Sequence, residues 1–196
     1  MKNFILFIIF GLMVGLFVKI FLLEVFTVPT DSMLPTIPVG KKVTVIKFFT
    51  TLEKNNIIAF EKDSENFVKR IKGLPHDTVG FQNNRRWTMD TGLTDNFSNS
   101  VSQLSTVYYI IPQKNDEVRL TNENMSFYQK IIERNENTFI TQLGDKIFIN
   151  GLETNNYTFK QNYYFVQGDN TASSIDSRDF GLIAKKQIFG KVLNIN

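Results

Sequence analysis

Three short segments carry the residue types from which a catalytic site can be assembled. The first, Val28-Pro29-Thr30-Asp31-Ser32-Met33-Leu34-Pro35-Thr36, sets a serine between two prolines. Each proline fixes its own φ, which keeps the Ser32 hydroxyl in a defined place; a serine in that setting is also an ordinary turn residue. The second, Phe67-Val68-Lys69-Arg70-Ile71-Lys72-Gly73-Leu74-Pro75-His76-Asp77, reads as a strand running into a turn. On such a strand Phe67, Lys69 and Ile71 share one face, and Val68, Arg70 and Lys72 the other. Lys69 between two large apolar neighbours has two explanations: an edge residue whose amine snorkels to water, or an amine desolvated until it is neutral. From a reference pKa of about 10.4, neutrality near pH 7 requires about 4 kcal/mol, within the range that apolar burial supplies. A neutral lysine can take the proton of a serine hydroxyl, the chemistry of the serine–lysine variants of the catalytic triad.

The third segment, Gly168-Asp169-Asn170-Thr171-Ala172-Ser173-Ser174-Ile175-Asp176-Ser177-Arg178-Asp179-Phe180-Gly181, is dense in turn formers and hydroxyls. Asp176 and Arg178, two residues apart, suit a loop braced by side-chain hydrogen bonds and an ion pair, although a purely structural loop has the same composition. Asp179-Phe180-Gly181 matches a kinase signature, but no glycine-rich nucleotide loop or His-Arg-Asp loop accompanies it, so that reading falls.

The rest of the composition narrows the chemistry further. The 196 residues include no cysteine and one histidine, His76. No disulfide framework and no thiolate or histidine-rich metal site can be built, so no metal and no cofactor is expected. A Ser-His-Asp triad would depend on His76 alone. With 42% hydrophobic and 21% charged residues, the chain has the makings of a packed core. A net charge of +3 is too small and too scattered for nucleic acid, though it favours an anionic lipid surface.

These segments need elements to position them. From Phe4 to Val18 every residue is apolar or glycine, and after Lys19 the run resumes through Leu23. As one helix this stretch spans roughly 30 Å, the hydrocarbon thickness, with Lys19 snorkelling among headgroups. It is longer than the core of a cleaved signal peptide and ends in Glu24-Val25-Phe26-Thr27-Val28-Pro29, without the small residues of a cleavage site, so it reads as an uncleaved anchor. Gly11 and Gly15 form a G-x-x-x-G pair able to pack two helices, a weak motif; a monomer is expected. Lysine placement does not fix the orientation.

Beyond the anchor the chain reads as mostly β. Lys42 to Phe49, Asn56 to Phe60, Phe67 to Ile71, Val79 to Trp87, Val107 to Ile111 and Lys146 to Ile149 have strand composition, and Asn150-Gly151 signals a hairpin turn. One helix is expected from Asn122 to Arg134, capped by Asn122, with Met125, Tyr128, Ile131 and Ile132 as its core stripe. Asp90 to Thr106 reads as an exposed loop.

The anchor and the three segments, in this order, resemble the type I signal peptidases. The resemblance lies in the pattern P-S-x-S-M-x-P-T, then Y-I-K-R-x-x-G-L-P-G-D, then G-D-N-x-x-x-S-x-D-S-R-x-x-G. It implies Ser32 as nucleophile and Lys69 as general base, with Ser174 hydrogen-bonded to the lysine. Thr30 then supplies an oxyanion-hole hydroxyl beside the Ser32 N–H, and Asp176 and Arg178 hold the loop. It also implies that Phe26, Val28, Met33 and Val68 wall shallow substrate pockets. The alternation before Thr30 places Phe26 and Val28 on one face of an extended segment, suited to a substrate that adds as a β-strand and presents Ala-x-Ala before the cut.

The chain departs from that pattern at several positions. Asp31 stands for glycine and is expected to face solvent, since a carboxylate toward Lys69 would favour the ammonium. His76 stands for the turn glycine, and histidine tolerates positive φ. Thr171 and Asp179 also differ from the usual residues. The implied fold is a single N-terminal transmembrane helix, an antiparallel β-sheet catalytic core and a satellite β/α lobe. The anchor is expected over 1–26, the core over 27–81 and 161–196, and the lobe over 82–160. The implied activity is removal of signal peptides from exported preproteins at the outer face of the cytoplasmic membrane. The alternatives are a silent membrane-tethered β module that binds peptides, and a peptidase dedicated to one secretion or conjugation system.

Overall fold

Short β-rich runs separated by turn formers give the chain many brief strands. The computed structural model describes residues 2–17, 22–47, 51–82, 86–89 and 106–195. In chain order the elements begin with α1 (Lys2–Phe17), β1 (Leu23–Thr27), β2 (Lys42–Ile46), β3 (Ile57–Lys62), β4 (Glu65–Gly73), β5 (Thr78–Gln82), β6 (Arg86–Met89), β7 (Thr106–Ile110) and β8 (Glu117–Arg119). They continue with α2 (Met125–Asn135), β9 (Ile140–Leu143), β10 (Lys146–Ile149), β11 (Leu152–Glu153), β12 (Asn156–Thr158), β13 (Tyr163–Gln167), α3 (Ser177–Phe180), β14 (Ile183–Ala184) and β15 (Ile188–Ile195). Two compact units result: Met1–Arg70 with Gly168–Ser174 and Gln187–Asn196, and Ile71–Gln167 with Ile175–Lys186.

The first unit is an antiparallel sheet in the order β1-β2-β15-β3-β4. Val28, Met33, Ile37, Val43, Val45 and Ala59 form its buried core, with Phe26, Ile57, Val68, Phe189, Val192 and Ile195 packed against them. Although β1 and β4 stand far apart in the strand order, the segment after β1 shares a core with Val68 of β4. The chain therefore folds back across the sheet, bringing the Ser32 segment to the strand that carries Lys69.

The N-terminal segment corrects the expectation of one helix from Phe4 to Leu23. The helix α1 has 16 residues, about 24 Å at 1.5 Å per residue, and residues 18–21 lie outside the described residues. Leu23 already belongs to β1, whose residues pair in register from Leu23↔Ile46 to Thr27↔Lys42, while Glu24 meets Lys47 at 2.8 Å. The β-formers Val25, Phe26 and Thr27 find backbone partners there that a helix would forgo. Among the described residues no helix is long and apolar enough to cross a membrane.

The second unit holds two further sheets, β6-β5-β7 and β11-β10-β9, with the pairs β12-β8 and β13-β14. The stretch read as one strand from Val79 to Trp87 is two strands, paired Phe81↔Trp87 and Gln82↔Arg86. The Asn150-Gly151 turn joins β10 to β11 with positive φ at both residues (51° and 83°). The expected loop lies outside the described residues except for Thr106, which opens β7. The helix starts later than expected, capped at Asn124 rather than Asn122, because Thr121 to Asn124 forms a turn in which the Met125 N–H donates to the Thr121 carbonyl at 2.9 Å. Its buried stripe contains Met125, Tyr128, Ile131 and Ile132, with Phe127 added.

Glu136, at the C-cap of α2, is buried at 5% exposure, where an unpartnered carboxylate would be costly. Its Oε2 accepts from the Tyr157 hydroxyl at 2.5 Å and the Lys160 N–H at 3.0 Å, and its Oε1 from the Tyr163 hydroxyl at 2.7 Å. Burial first, and then this carboxylate, push both phenols above the usual tyrosine range. Their stabilising contribution is thus complete below about pH 10 and lost as pH rises beyond it. Glu136→Ala strands two buried phenol donors at about 1 to 3 kcal/mol each and frees the Lys160 N–H, which water can reach, so urea denaturation is expected to show a loss of about 2 kcal/mol or more. An unfolding midpoint equal to that of the parent chain would show that the network contributes nothing.

Candidate active site

Alternation along β4 buries Lys69 at 3% exposure, on the same face as Phe67 and Ile71. Opposite it on β3 is Ile58. The Lys69 amine lies 5.9 Å from the Phe67 ring centroid, at the outer limit of a cation–π contact. The Ser32 segment forms a compact turn: the Leu34 N–H donates to the Asp31 carbonyl at 3.0 Å and the Ile37 N–H to the Met33 carbonyl at 2.9 Å, and Leu34-Pro35 is cis. Met33, fully buried, plugs this turn into the core. Ser32 is thereby held at 5% exposure with its Oγ 2.6 Å from Lys69 Nζ, joined by a hydrogen bond across 37 residues of sequence. Thr30 Oγ1 lies 3.1 Å from the same Oγ. A buried amine, a buried hydroxyl and a second hydroxyl therefore converge on one point, an arrangement suited to proton transfer from serine to lysine.

The segment Gly168–Ser174 lies against this point. A side chain at Gly168 would meet Ser174 Oγ at 2.2 Å and the Ser32 carbonyl oxygen at 2.5 Å, which places Ser174, itself 8% exposed, beside Ser32. The Asn170 N–H donates to the Ser32 carbonyl at 3.0 Å, and Asn170 Nδ2 donates to the Asp31 carbonyl at 3.2 Å. Asp31 is engaged: its Oδ1 accepts from the Ser173 hydroxyl at 2.9 Å, at an exposed position. Asp169 takes a two-pronged ion pair from Arg70, with Nε at 2.7 Å and Nη2 at 2.6 Å. That contact raises the Arg70 pKa, and Arg70 also donates to the Asn55 carbonyl at 2.9 Å.

Asp176 and Arg178 belong to the second unit and pair with each other. Asp176 is fully buried, and its carboxylate accepts from Arg178 Nε at 2.8 Å, Arg178 Nη2 at 2.9 Å and the Arg178 N–H at 3.1 Å. With Asp179 it forms a capping box on α3, and the Val166 N–H donates to the buried Ser177 hydroxyl at 2.9 Å. His76 adopts φ 71°, with its N–H on the Ile111 carbonyl at 2.8 Å and its ring nitrogen 3.0 Å from Asp116. Of the four residues expected to wall pockets, Val28 and Met33 are buried in the first unit's core, and Phe26 and Val68 are partly exposed against it. Sequence spacing assigns no role to Arg70, Asn170 or Ser173; the clue to Arg70 is its place on the strand face opposite Lys69.

Comparison with known proteins sets the class first: the chain falls among the peptidases. The family model described as signal peptidase, peptidase S26, matches residues 1–195, and the chain belongs to that family. It is 31% identical over 176 residues to the signal peptidase IB of Staphylococcus aureus (strain COL), covering 88% of this chain and 76% of that protein. It is 25% identical over 221 residues to a signal peptidase I of Buchnera aphidicola subsp. Schizaphis graminum, covering 91% and 69%. A solved structure of a signal peptidase I from Enterococcus faecalis V583 covers 75% of this chain and all of its own, at 24% identity and a TM-score of 0.33.

Proposed function

We propose that the chain is a signal peptidase I, an endopeptidase that removes signal peptides from exported preproteins through an acyl-enzyme on Ser32. The observation that carries this reading is the 2.6 Å hydrogen bond between two buried groups, Lys69 Nζ and Ser32 Oγ. With the amine neutral, the hydroxyl proton passes to Nζ as Oγ attacks the scissile carbonyl carbon. The resulting oxyanion is held by the Ser32 N–H and the Thr30 hydroxyl, and the Lys69 ammonium returns its proton to the leaving amine. Water, deprotonated by Lys69, then attacks the Ser32 ester; the acyl carbon–Oγ bond breaks, Oγ takes the proton back from Lys69, and the signal peptide leaves with a new C-terminal carboxyl group. Ser174, buried beside Ser32, is assigned the role of fixing the Lys69 amine by turning its hydroxyl toward it, while Asp176 and Arg178 hold their loop.

The substrate adds as an extended strand beside Phe26, Val28 and Val68, with Met33 behind them. Such walls admit small side chains, which favours Ala-x-Ala before the cut. We place the protein in the cytoplasmic membrane with its β units on the outer side. Supporting this is α1, where Phe4, Phe7, Phe10, Leu12 and Met13 are each 66% exposed or more, apolar surface suited to lipid.

The test is processing of a purified preprotein by the full chain in detergent. Ser32→Ala is expected to leave the preprotein uncut, and replacing the alanine just before the cut by phenylalanine is expected to block the parent enzyme. Processing by Ser32→Ala would overturn the assignment, whereas cleavage after phenylalanine would overturn the pocket model alone.

A further inference from the structure

Resting on the reading of Ser32 as nucleophile, we propose that Asn170 is a positioning residue that sets the direction of the Ser32 N–H, the main-chain donor to the oxyanion. The peptide joining Asp31 to Ser32 is a rigid plane in which the carbonyl and the N–H point opposite ways. Fixing the Asp31 carbonyl therefore fixes the Ser32 N–H. That carbonyl accepts two donors, the Leu34 N–H at 3.0 Å and Asn170 Nδ2 at 3.2 Å, which together occupy both lone pairs. The next carbonyl, that of Ser32, accepts from the Asn170 N–H at 3.0 Å. One residue thus grips the carbonyls on both sides of the nucleophile's N–H and Cα.

The grip has a firm base. Asp169, the residue before Asn170, is clamped by Arg70, the residue after Lys69, so Asn170 is tied to the strand that carries the amine. On its other side the Ser173 N–H donates to the Asn170 carbonyl at 3.1 Å, and the Ser173 hydroxyl reaches the Asp31 carboxylate. Asp31, a departure from the family's usual glycine, gives this chain a second strap between the same two segments. Within this frame the Asn170 amide is the side-chain donor aimed at the nucleophile's own peptide. Aspartate, nearly the same shape, has no donor to offer there.

Loss of an oxyanion donor costs roughly 10²- to 10³-fold in turnover, and here Leu34 retains part of the hold. Asn170→Ala and Asn170→Asp, assayed as full chains on a preprotein peptide, are therefore expected to lower kcat about 10- to 100-fold with KM within about twofold of the parent. Binding of a peptide aldehyde, whose adduct carries a tetrahedral oxygen, is expected to weaken in parallel with kcat, while the thermal midpoint stays put. Unchanged kcat in both variants would overturn the proposal. So would a joint fall of kcat, peptide affinity and thermal midpoint, which marks a merely structural role. Ser32→Ala, run alongside, separates the two levels: if it still cleaves, the reading of Ser32 fails; if it is inert while both Asn170 variants turn over normally, only the role of Asn170 fails.

Discussion

Lys69→Met should reduce turnover by about 10⁴-fold or more while leaving the fold as stable as before, or more so. The two halves of this expectation come from one fact, the burial of the amine at 3% exposure. Methionine fills nearly the volume of the lysine stem and needs no hydrogen-bond partner, and Ser32 Oγ, which loses the amine, keeps the Thr30 hydroxyl at 3.1 Å. Chemistry, by contrast, loses the atom 2.6 Å from Ser32 Oγ, and no histidine stands in for it. The sign of the pH dependence follows from the role. A base must be deprotonated to act, so activity is absent while the amine is protonated, rises as pH carries it to neutrality, and persists on the alkaline side. His76→Ala should leave that profile in place, because the contacts of His76 are to Ile111 and Asp116. Turnover by Lys69→Met, or a profile abolished with the imidazole, would remove Lys69 from the mechanism.

Legibility differed by the range of the interaction involved. The alternation that buries Lys69 with Phe67 and Ile71 is local, and so is the Asp176–Arg178 pair two residues apart; both are readable from spacing. The Asn150-Gly151 hairpin is equally local, since its backbone conformation is a property of those two residues. What spacing could not reveal is pairing across the chain. Arg70 and Asp169 are 99 residues apart, and nothing in either neighbourhood announces the partner. The same holds for Asp31, expected to face solvent on electrostatic grounds and found accepting from Ser173, 142 residues away. At the N-terminus hydropathy alone extends the apolar run to Leu23 as helix, because hydropathy is blind to backbone pairing. Strand β2 supplies partners to Leu23–Thr27, and tertiary pairing outweighs helical continuity there. Short strands such as β8, β11, β12 and β14 have too few residues to display a period at all.

Gly168→Ala should cost at least about 100-fold in kcat/KM, an effect set by space rather than by lost chemistry. A methyl group there would lie 2.2 Å from Ser174 Oγ, 2.6 Å from Ser174 Cβ and 2.5 Å from the Ser32 carbonyl oxygen. Rotating the Ser174 hydroxyl relieves only the first of these contacts; the other two involve atoms fixed to the backbone, so one of the two segments has to move. Either movement is harmful. Displacing the Ser32 carbonyl breaks its hydrogen bond from the Asn170 N–H and carries Oγ away from Lys69 Nζ; displacing Ser174 opens the wall of the buried site to water. Misplacing reacting groups by about 1 Å is enough to lose roughly 10²-fold in rate, and overpacking of this kind costs about 1 to 3 kcal/mol in stability. Chemical denaturation and preprotein cleavage measured on the same Gly168→Ala sample should therefore show a modest loss of stability beside a large loss of activity. Normal kcat/KM in a folded Gly168→Ala protein would show that the close approach of Gly168–Ser174 to Ser32 is not needed for catalysis. A folded but inactive protein would identify the missing side chain of Gly168 as what lets the loop reach Ser32.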